Sequence, residues 1–225
     1  MNTSLYLLFK AIRAQSTVAL SGESADEVFG GYRWFHDEAA VHADTFPWLA
    51  FQNAHTSANR LDVFDAQLRS RLDIPAYIDA QYRSAVAEVD HLPDASPLEQ
   101  RMRTVCHLHL TRFVRMLLDR KDRASMAVGL EVRVPFCDHR LVEYVYNTPW
   151  SMKTFDSREK SLLRHATKHV LPQSVAERVK SPYPSTQDPG YAAALQQQVK
   201  EVLADGDDRL VELVDRDRAT RHLQL

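Results

Sequence analysis

The sequence has few cysteines and no excess of charge of either sign. Only two of its 225 residues are cysteine. Cys106 and Cys137 stand in no metal-type spacing, and so sparse a pair argues against a disulfide framework and fits a reducing cytoplasm. The 28 Lys and Arg residues against 30 Asp and Glu give a formal net charge of −2. This balance gives no long-range attraction to nucleic acid or to acidic membranes.

Membrane-spanning and repetitive segments are also lacking. In the opening segment, MNTSLYLLFKAIR, Lys10 and Arg13 interrupt the apolar run well short of the roughly 20 residues that a membrane span needs. Its apolar residues fall at helical spacing, which predicts an amphipathic helix. We find no internal repeat or low-complexity tract. The composition therefore predicts a cytoplasmic chain, with one large domain or two small ones and no nucleic-acid or membrane partner.

Helical periodicity dominates what is present. Ser96, Pro97 and Glu99 form a helix-start signal, in which Ser96 accepts from the Glu99 amide and the Glu99 side chain reaches back. Apolar residues then recur three or four apart, which predicts a helix of five or more turns ending near Gly129. Further helices are expected around residues 59–72, 75–89, 139–147 and 190–204, and after Ser157.

A short strand is followed at once by an acidic turn that contains glycine. The run TVAL, residues 17–20, fits a buried strand, SGES breaks it, and ADEVF restarts a helix. At such a turn the amides point outward at the carboxyl end of a sheet, where α/β folds bind ligands. Gly22 permits close approach to the backbone, and Ser21 adds a hydroxyl donor. A second segment, LEVRVPF, alternates but is too short to assign firmly as a strand.

The acids of this turn allow two interpretations. Asp26 and Glu27 near a helix start are favoured by the helix dipole and by capping alone. Glu23 precedes the helix, three residues before Asp26, and two carboxylates beside free amides favour a magnesium ion that bridges to phosphate oxygens. The spacing alone leaves both interpretations open.

Four segments occur in the order found in one enzyme family. They are SGESADEVFGGY, DRASMAVGLEVRVPFCDHRL, REKSLLR and RVKSPYPSTQDPGY. In this order they resemble the synthetase domain of glutamine-hydrolysing asparagine synthetases, most strongly the bacterial branch, over about residues 3 to 204. Because several blocks in one order are far less expected by chance than a single motif, the chain is identified as a member of this family.

The resemblance implies an ATP pyrophosphatase-type ligase that adenylates the side chain of aspartate, releases pyrophosphate and lets ammonia displace AMP. Ser21 and Gly22 match nucleotide contacts, and Asp26 matches the magnesium-binding acid. Glu23 matches the acid that is important for forming aspartyl-AMP and that would accept a proton from the attacking ammonia. Lys180, in RVKSPY, matches the lysine that meets the phosphates. ATP and Mg²⁺ are the implied cofactors, and aspartate and ammonia are the substrates.

Other charged residues allow a structural and a functional interpretation. Asp122, Arg123, Glu131 and Arg133 form either intramolecular ion pairs that orient the loop after Gly129 or one side of the aspartate and phosphate site. A solvated helix face is expected for Lys160 and Arg164. The histidines have no third ligand at zinc-type spacing, and a surface or core location is expected for the following four: His107, His109, His165 and His169.

Two parts of the family pattern do not occur in the sequence. The glycine-rich SGGxDS pyrophosphate loop is absent, since the only Gly-Gly pair is Gly30-Gly31. No processed N-terminal cysteine supplies the glutaminase nucleophile that releases ammonia from glutamine. We therefore expect residues 1–225 to be the carboxyl-terminal portion of an asparagine synthetase domain, with no appreciable activity alone. The missing N-terminal half, or a second copy in a homo-oligomer, is the expected protein partner.

The expected fold is α/β but predominantly helical. It is a partial adenine-nucleotide alpha-hydrolase-like (ATP pyrophosphatase) domain with one or two remaining parallel strands, whose exposed edges favour aggregation or association. Two other functions remain open. One is a related adenylating amide ligase of the β-lactam synthetase or lasso-peptide cyclase type, and the other is a non-catalytic helical partner module.

Overall fold

The structure is a computed structural model that describes residues 3–56, 61–181, 188–205 and 212–222. Most of these residues are helical, and two short strands form a parallel sheet. None of the described helices combines the length and the apolar character needed to cross a bilayer. The strands are β1 (Val18–Leu20) and β2 (Glu131–Arg133). The helices are α1 (Thr3–Arg13), α2 (Ala25–Phe29), α3 (Glu38–His42), α4 (Pro47–His55), α5 (Ala66–Leu72), α6 (Ile74–Ala87), α7 (Pro97–Leu108), α8 (Val114–Met126), α9 (His139–Tyr146), α10 (Trp150–Lys153), α11 (Ser161–Thr167), α12 (Gln173–Ala176), α13 (Pro189–Asp205) and α14 (Arg216–His222).

The chain divides into two compact units. The first contains Met1–Gln52 and Gln81–Val179, and the second contains Asn53–Ala80 and Lys180–Leu225. The parallel sheet and the acidic turn after residue 20 belong to the first unit.

The second unit is joined across its two segments by main-chain pairing. Phe64 and Val214 form an isolated antiparallel bridge. Beside it, the Asp65 amide donates to the Leu213 carbonyl at 3.1 Å. The segments are therefore linked through backbone hydrogen bonds as well as through side chains.

The parallel sheet forms because β1 and β2 complete each other's hydrogen bonds. Val18 pairs with Glu131 and Leu20 with Arg133. The Ser21 amide extends this ladder by donating to the Arg133 carbonyl at 2.9 Å. Behind the sheet, α1 and α8 contribute a buried apolar cluster. The expected mainly helical α/β fold with one or two parallel strands is confirmed at this level, and the segment too short to assign from sequence is β2.

The helix predicted from the SPLEQ signal extends almost to Gly129, as expected, but it is less regular than its pattern indicates. Ser96 accepts from the Glu99 amide at 3.3 Å, as predicted. The Glu99 side chain does not reach back to Ser96. Instead its carboxylate accepts from the Trp150 amide at 2.8 Å and from the Ser151 amide at 3.4 Å, so it caps α10. A π-helical turn, His109–Phe113, connects α7 to α8.

The π-helical turn places His109 inside the protein. Its Nε2 accepts from the Trp34 indole N–H at 2.7 Å, and its Nδ1 lies 2.7 Å from the Val105 carbonyl oxygen. Burial lowers the pKa of His109 to about 3. The expectation of a core or surface histidine is confirmed here: His109 is a fully buried, neutral core residue.

Candidate active site at the end of strand β1

The turn after β1 has a fixed backbone and an open side. The Ser21 hydroxyl accepts from the Glu23 amide at 3.2 Å. Ser24 lies in the left-handed region, with φ 75°, and its hydroxyl is 2.8 Å from the Cys137 sulfur. A Cβ added at Gly22 would meet no atom within 4 Å. Gly22 therefore leaves room for another molecule to approach the backbone.

Lys121 connects Ser21 with Glu23. It lies on α8, and its ammonium donates to the Ser21 hydroxyl at 2.5 Å and forms an ion pair with the Glu23 carboxylate. The Lys121 side chain is 11% exposed and that of Glu23 is 17% exposed. Water therefore screens this pair little, and the contact fixes the Glu23 carboxylate at the end of the strand.

A second lysine contacts the second acid of the turn. Lys160 Nζ lies 2.9 Å from Asp26 Oδ1. Lys160 directly precedes α11 and has a left-handed backbone, with φ 58°. The solvated face expected for Lys160 and Arg164 is therefore wrong, because Arg164 is also engaged, by Glu159 at 2.5 Å.

Glu27 is buried below the turn. The Tyr32 hydroxyl donates to its Oε1 at 2.6 Å. Burial raises the pKa of Glu27, and the nearby carboxylates of Asp26 and Glu23 raise it further. Neither Asp26 nor Glu27 caps α2, since the cap position is Ser24 and makes no side-chain capping bond. The capping part of the first interpretation is therefore wrong, whereas the helix-dipole part fits, because both acids lie in the first turn of α2.

The two glycines after α2 hold Asp26 close to the backbone. The Gly31 amide donates to the Asp26 carbonyl at 2.7 Å. A Cβ at Gly31 would lie 1.9 Å from Asp26 Oδ1 and 2.9 Å from its Cα. Gly30 has φ 70°, and a Cβ there would lie 2.6 Å from the Trp150 ring. Gly31 is thus required by the close approach of its backbone to α2, and Gly30 by its left-handed backbone and the adjacent Trp150 ring.

Lys180, the remaining residue predicted for the site, belongs to the second unit. It is half-buried and follows α12 in an irregular segment. Residues 182–187 of the matching block lie outside the described residues. The role of Lys180 stays a prediction.

The other charged residues singled out in the sequence form local ion pairs. Arg123 contacts Asp119 at 2.8 Å, and Arg133 contacts Glu131 at 2.7 Å. All four side chains are more than half exposed. These contacts favour the ion-pair interpretation of Arg123, Glu131 and Arg133.

The donor set of the turn fits some metals better than others. Within the described ranges, no group of three or more His, Cys, Asp or Glu side chains is arranged to hold a metal ion. Mg²⁺ usually keeps several waters and takes only one or two protein carboxylates together with phosphate oxygens. Glu23 and Asp26 fit that limited contribution, and the open space at Gly22 fits the approach of a nucleotide.

A comparison with known protein families decides the relationship. The family model for asparagine synthase matches residues 1–225. The chain belongs to the asparagine synthase family. It is 39% identical over 224 residues to asparagine synthetase [glutamine-hydrolyzing] 3 of Bacillus subtilis. The aligned region covers 100% of this chain and 35% of that protein.

More distant relatives match a smaller share of this chain over a similar share of their own length. Asparagine synthetase [glutamine-hydrolyzing] 1 of B. subtilis is 26% identical over 206 residues, with 80% of this chain and 32% of that protein covered. Amidase chry2 of Gibberella zeae is 26% identical over 222 residues, with 78% and 33% covered. The chain thus spans about a third of the length of these three relatives.

Sequence reasoning missed Lys121 and assigned Lys160 to a solvated helix face, although both lysines contact acids of the turn. Lys121 and Lys160 lie far from the turn in sequence, and each is surrounded by other charged residues that match a solvated helix equally well. One signal was available for Lys121: the apolar stripe of α8 includes Leu117, and Lys121 lies four residues further on the same, buried face.

Proposed function

We propose that this chain supplies part of the synthetase site of an ATP-dependent ligase that converts aspartate to asparagine. The side-chain carboxylate would be activated as aspartyl-AMP with release of pyrophosphate, and ammonia would then displace AMP. The observation that carries the proposal is the contact of Lys121 with both Ser21 and Glu23 at the end of a parallel strand, in a chain of the asparagine synthase family.

The proposed roles of the turn residues use the geometry of the turn, whereas that of Lys180 rests on the family resemblance alone. The Ser21 hydroxyl and the open backbone at Gly22 would meet the nucleotide, and Asp26 would contribute a carboxylate oxygen to Mg²⁺. Glu23, oriented by Lys121, would accept a proton as the amine attacks. Lys180 would neutralise negative charge on the phosphates. When bound, ATP with Mg²⁺ supplies the electrophilic phosphorus and partial neutralisation of the phosphate charge.

Several finer statements belong to the same proposal. The fold would be a part of the adenine-nucleotide alpha-hydrolase-like, ATP pyrophosphatase type. Ammonia would come from glutamine by an amidotransferase reaction, and the protein would act in the cytoplasm. The names of the relatives, which include three glutamine-hydrolyzing asparagine synthetases of B. subtilis, support the supply of ammonia from glutamine.

The test is aspartate-dependent exchange of labelled pyrophosphate into ATP. The chain is assayed alone and after addition, as a second polypeptide, of the part of B. subtilis asparagine synthetase 3 that it does not match. Exchange that requires aspartate supports the proposal. Glutamate and succinate serve as matched carboxylates, because they differ from aspartate by one methylene and by the amino group respectively.

Two outcomes contradict the proposal. Exchange with another carboxylate but not with aspartate indicates a related adenylating ligase. The similarity to an amidase is the reason for including this outcome. Absence of exchange in both preparations, with circular dichroism showing a folded chain, indicates a non-catalytic partner module.

A further inference from the structure

The first unit contains a cavity that is separate from the turn after β1. Its volume is about 580 Å³, within the range of small-molecule sites. It lies between the loop before α7, one face of α7 and the corner that joins α9 to α10. Its lining does not include Ser21, Gly22, Glu23, Asp26 or Lys121.

The cavity is lined by a buried lysine for which the described residues provide no acidic partner. Lys153, the last residue of α10, is 2% exposed. Its ammonium has the Cys106 sulfur as partner, at 4.0 Å, and among the described residues no carboxylate forms an ion pair with it. A thiol is a weak acceptor, and burial raises the pKa of Cys106, which keeps it neutral. A buried cation without a counter-charge is costly.

A second cation of the same cavity has donor capacity left. The Arg103 guanidinium lies 4.2 Å above the Tyr146 ring. Its Nε donates to the Asp90 carbonyl at 2.7 Å and its Nη1 to the Asn147 side chain at 3.2 Å. The Nη2 group has no contact of this kind within the described residues.

The acids and apolar groups of the cavity restrict what could bind. The Glu99 carboxylate is engaged by the two amides at the start of α10, and Asp94 adds a second negative charge to the lining. A doubly charged phosphate would meet repulsion from both acids, whereas a single carboxylate would meet less. The apolar lining, which includes Met102 and Trp150, suits a ligand with an apolar body.

We propose that this cavity is a binding site for a small carboxylate with an apolar body, whose charged end contacts Lys153. The site is separate from the proposed synthetase site, and the proposal does not depend on that function. The carboxylate would supply the counter-charge that the described residues around Lys153 lack.

The probe is benzoate, which joins one carboxylate to an apolar ring. The whole chain is titrated with benzoate and, in parallel, with the neutral isostere benzamide and with inorganic phosphate. Binding is followed by calorimetry and by the NMR signals of the Lys153 side chain and the Trp150 indole. We expect benzoate to bind and to shift both signals, and benzamide and phosphate to bind at least tenfold more weakly.

The variant Lys153→Met has a side chain one heavy atom shorter than lysine and removes the charge. We expect benzoate binding to weaken about 10- to 100-fold, and the urea midpoint to stay equal or rise because an uncompensated buried charge is lost. Lys10→Met, at an exposed position of α1, is the matched control and should change neither value.

The proposal is overturned if the wild-type chain does not bind benzoate or if benzoate and benzamide bind equally well. Unchanged benzoate binding in Lys153→Met would also overturn it. If Lys153→Met does not fold, the wild-type titrations decide, because a bound benzoate that leaves the Lys153 signals unshifted also excludes the site. Tighter binding of phosphate than of benzoate would show that the cavity selects a different anion.

Discussion

The ammonium of Lys121 and the carboxylate of Glu23 form an ion pair at the carboxyl end of strand β1. One partner lies on α8 and the other in the turn between β1 and α2. The same ammonium holds the Ser21 hydroxyl at 2.5 Å. A single lysine thus fixes two of the side chains that we assign to the proposed synthetase site.

Removing Lys121 should leave two poorly solvated polar groups without their partner. We expect Lys121→Met to lower the free energy of unfolding by about 1–3 kcal/mol, measured by urea denaturation at pH 7. Arg123→Met is the matched control on the same helix. Arg123 pairs with Asp119 in water-exposed surroundings, so its loss should lower the free energy of unfolding far less than the loss of Lys121. Equal effects of the two substitutions would show that the Lys121 contact is not special.

An added methyl group should destabilise the protein at Gly31 and have hardly any effect on stability at Gly22. Gly31→Ala places a Cβ 2.9 Å from the Asp26 Cα, so we expect a loss of about 1–3 kcal/mol of stability through overpacking. Gly22→Ala meets no atom within 4 Å, so the unfolding midpoint should hardly change. If the turn binds nucleotide, Gly22→Ala should still weaken ATP binding, measured by calorimetry. A tolerated alanine at Gly31 would contradict the close approach of the turn to α2.

Burial of neutral His109 predicts a specific pH dependence. The pKa of His109 falls from 6.5 to about 3 on folding, so between these values the unfolded chain binds a proton that the native chain does not. Its contribution is therefore fully present above pH 6.5, and stability declines by about 1.4 kcal/mol per pH unit as pH falls through this window.

Carboxylates that are stabilised in the folded protein also lose stability in acid, so the His109 contribution requires a difference measurement. We expect the pH 7 to pH 5 loss of unfolding free energy to be smaller in His109→Gln than in the wild type. His169→Gln, at an exposed position, is the control and should keep the wild-type loss. Equal losses in the wild type and His109→Gln would show that His109 is protonated in the folded chain.

Glu27 predicts the opposite sign. Burial raises its pKa above 4.5, so the native chain retains a proton that the unfolded chain releases, and stability declines as pH rises through the folded pKa. Glu27→Gln keeps a hydrogen-bond acceptor for Tyr32 and removes the charge. We expect its stability relative to wild type to rise between pH 5 and pH 8 in urea titrations. A constant difference across this range would contradict the raised pKa.

The local features of the fold could be predicted from sequence because they depend on neighbours along the chain. The helix start at Ser96, the amphipathic α1 and the strand-turn-helix around Gly22 are of this kind. Strand β2 could not be assigned because three residues become a strand only when β1 offers its hydrogen bonds.

The site was predictable only in part for the same reason. Ser21, Gly22, Glu23 and Asp26 form one contiguous motif, whereas the lysines that contact the acids are brought to them by tertiary packing. The capping role expected for Glu99 failed through a similar long-range contact, since α10 provides amides that compete for its carboxylate. Side-chain chemistry alone does not identify such distant partners.

Pyrophosphate exchange in the Glu23→Gln variant tests the central claim most directly. The variant is assayed with aspartate and ATP, together with the complementing B. subtilis segment, beside the wild type and Glu131→Gln, whose exposed acid pairs only locally in the described chain. The proposed role of Glu23 predicts that exchange falls at least 100-fold in Glu23→Gln and is unchanged in Glu131→Gln. Wild-type exchange by a folded Glu23→Gln chain would contradict the assignment of this turn as the site of aspartate activation.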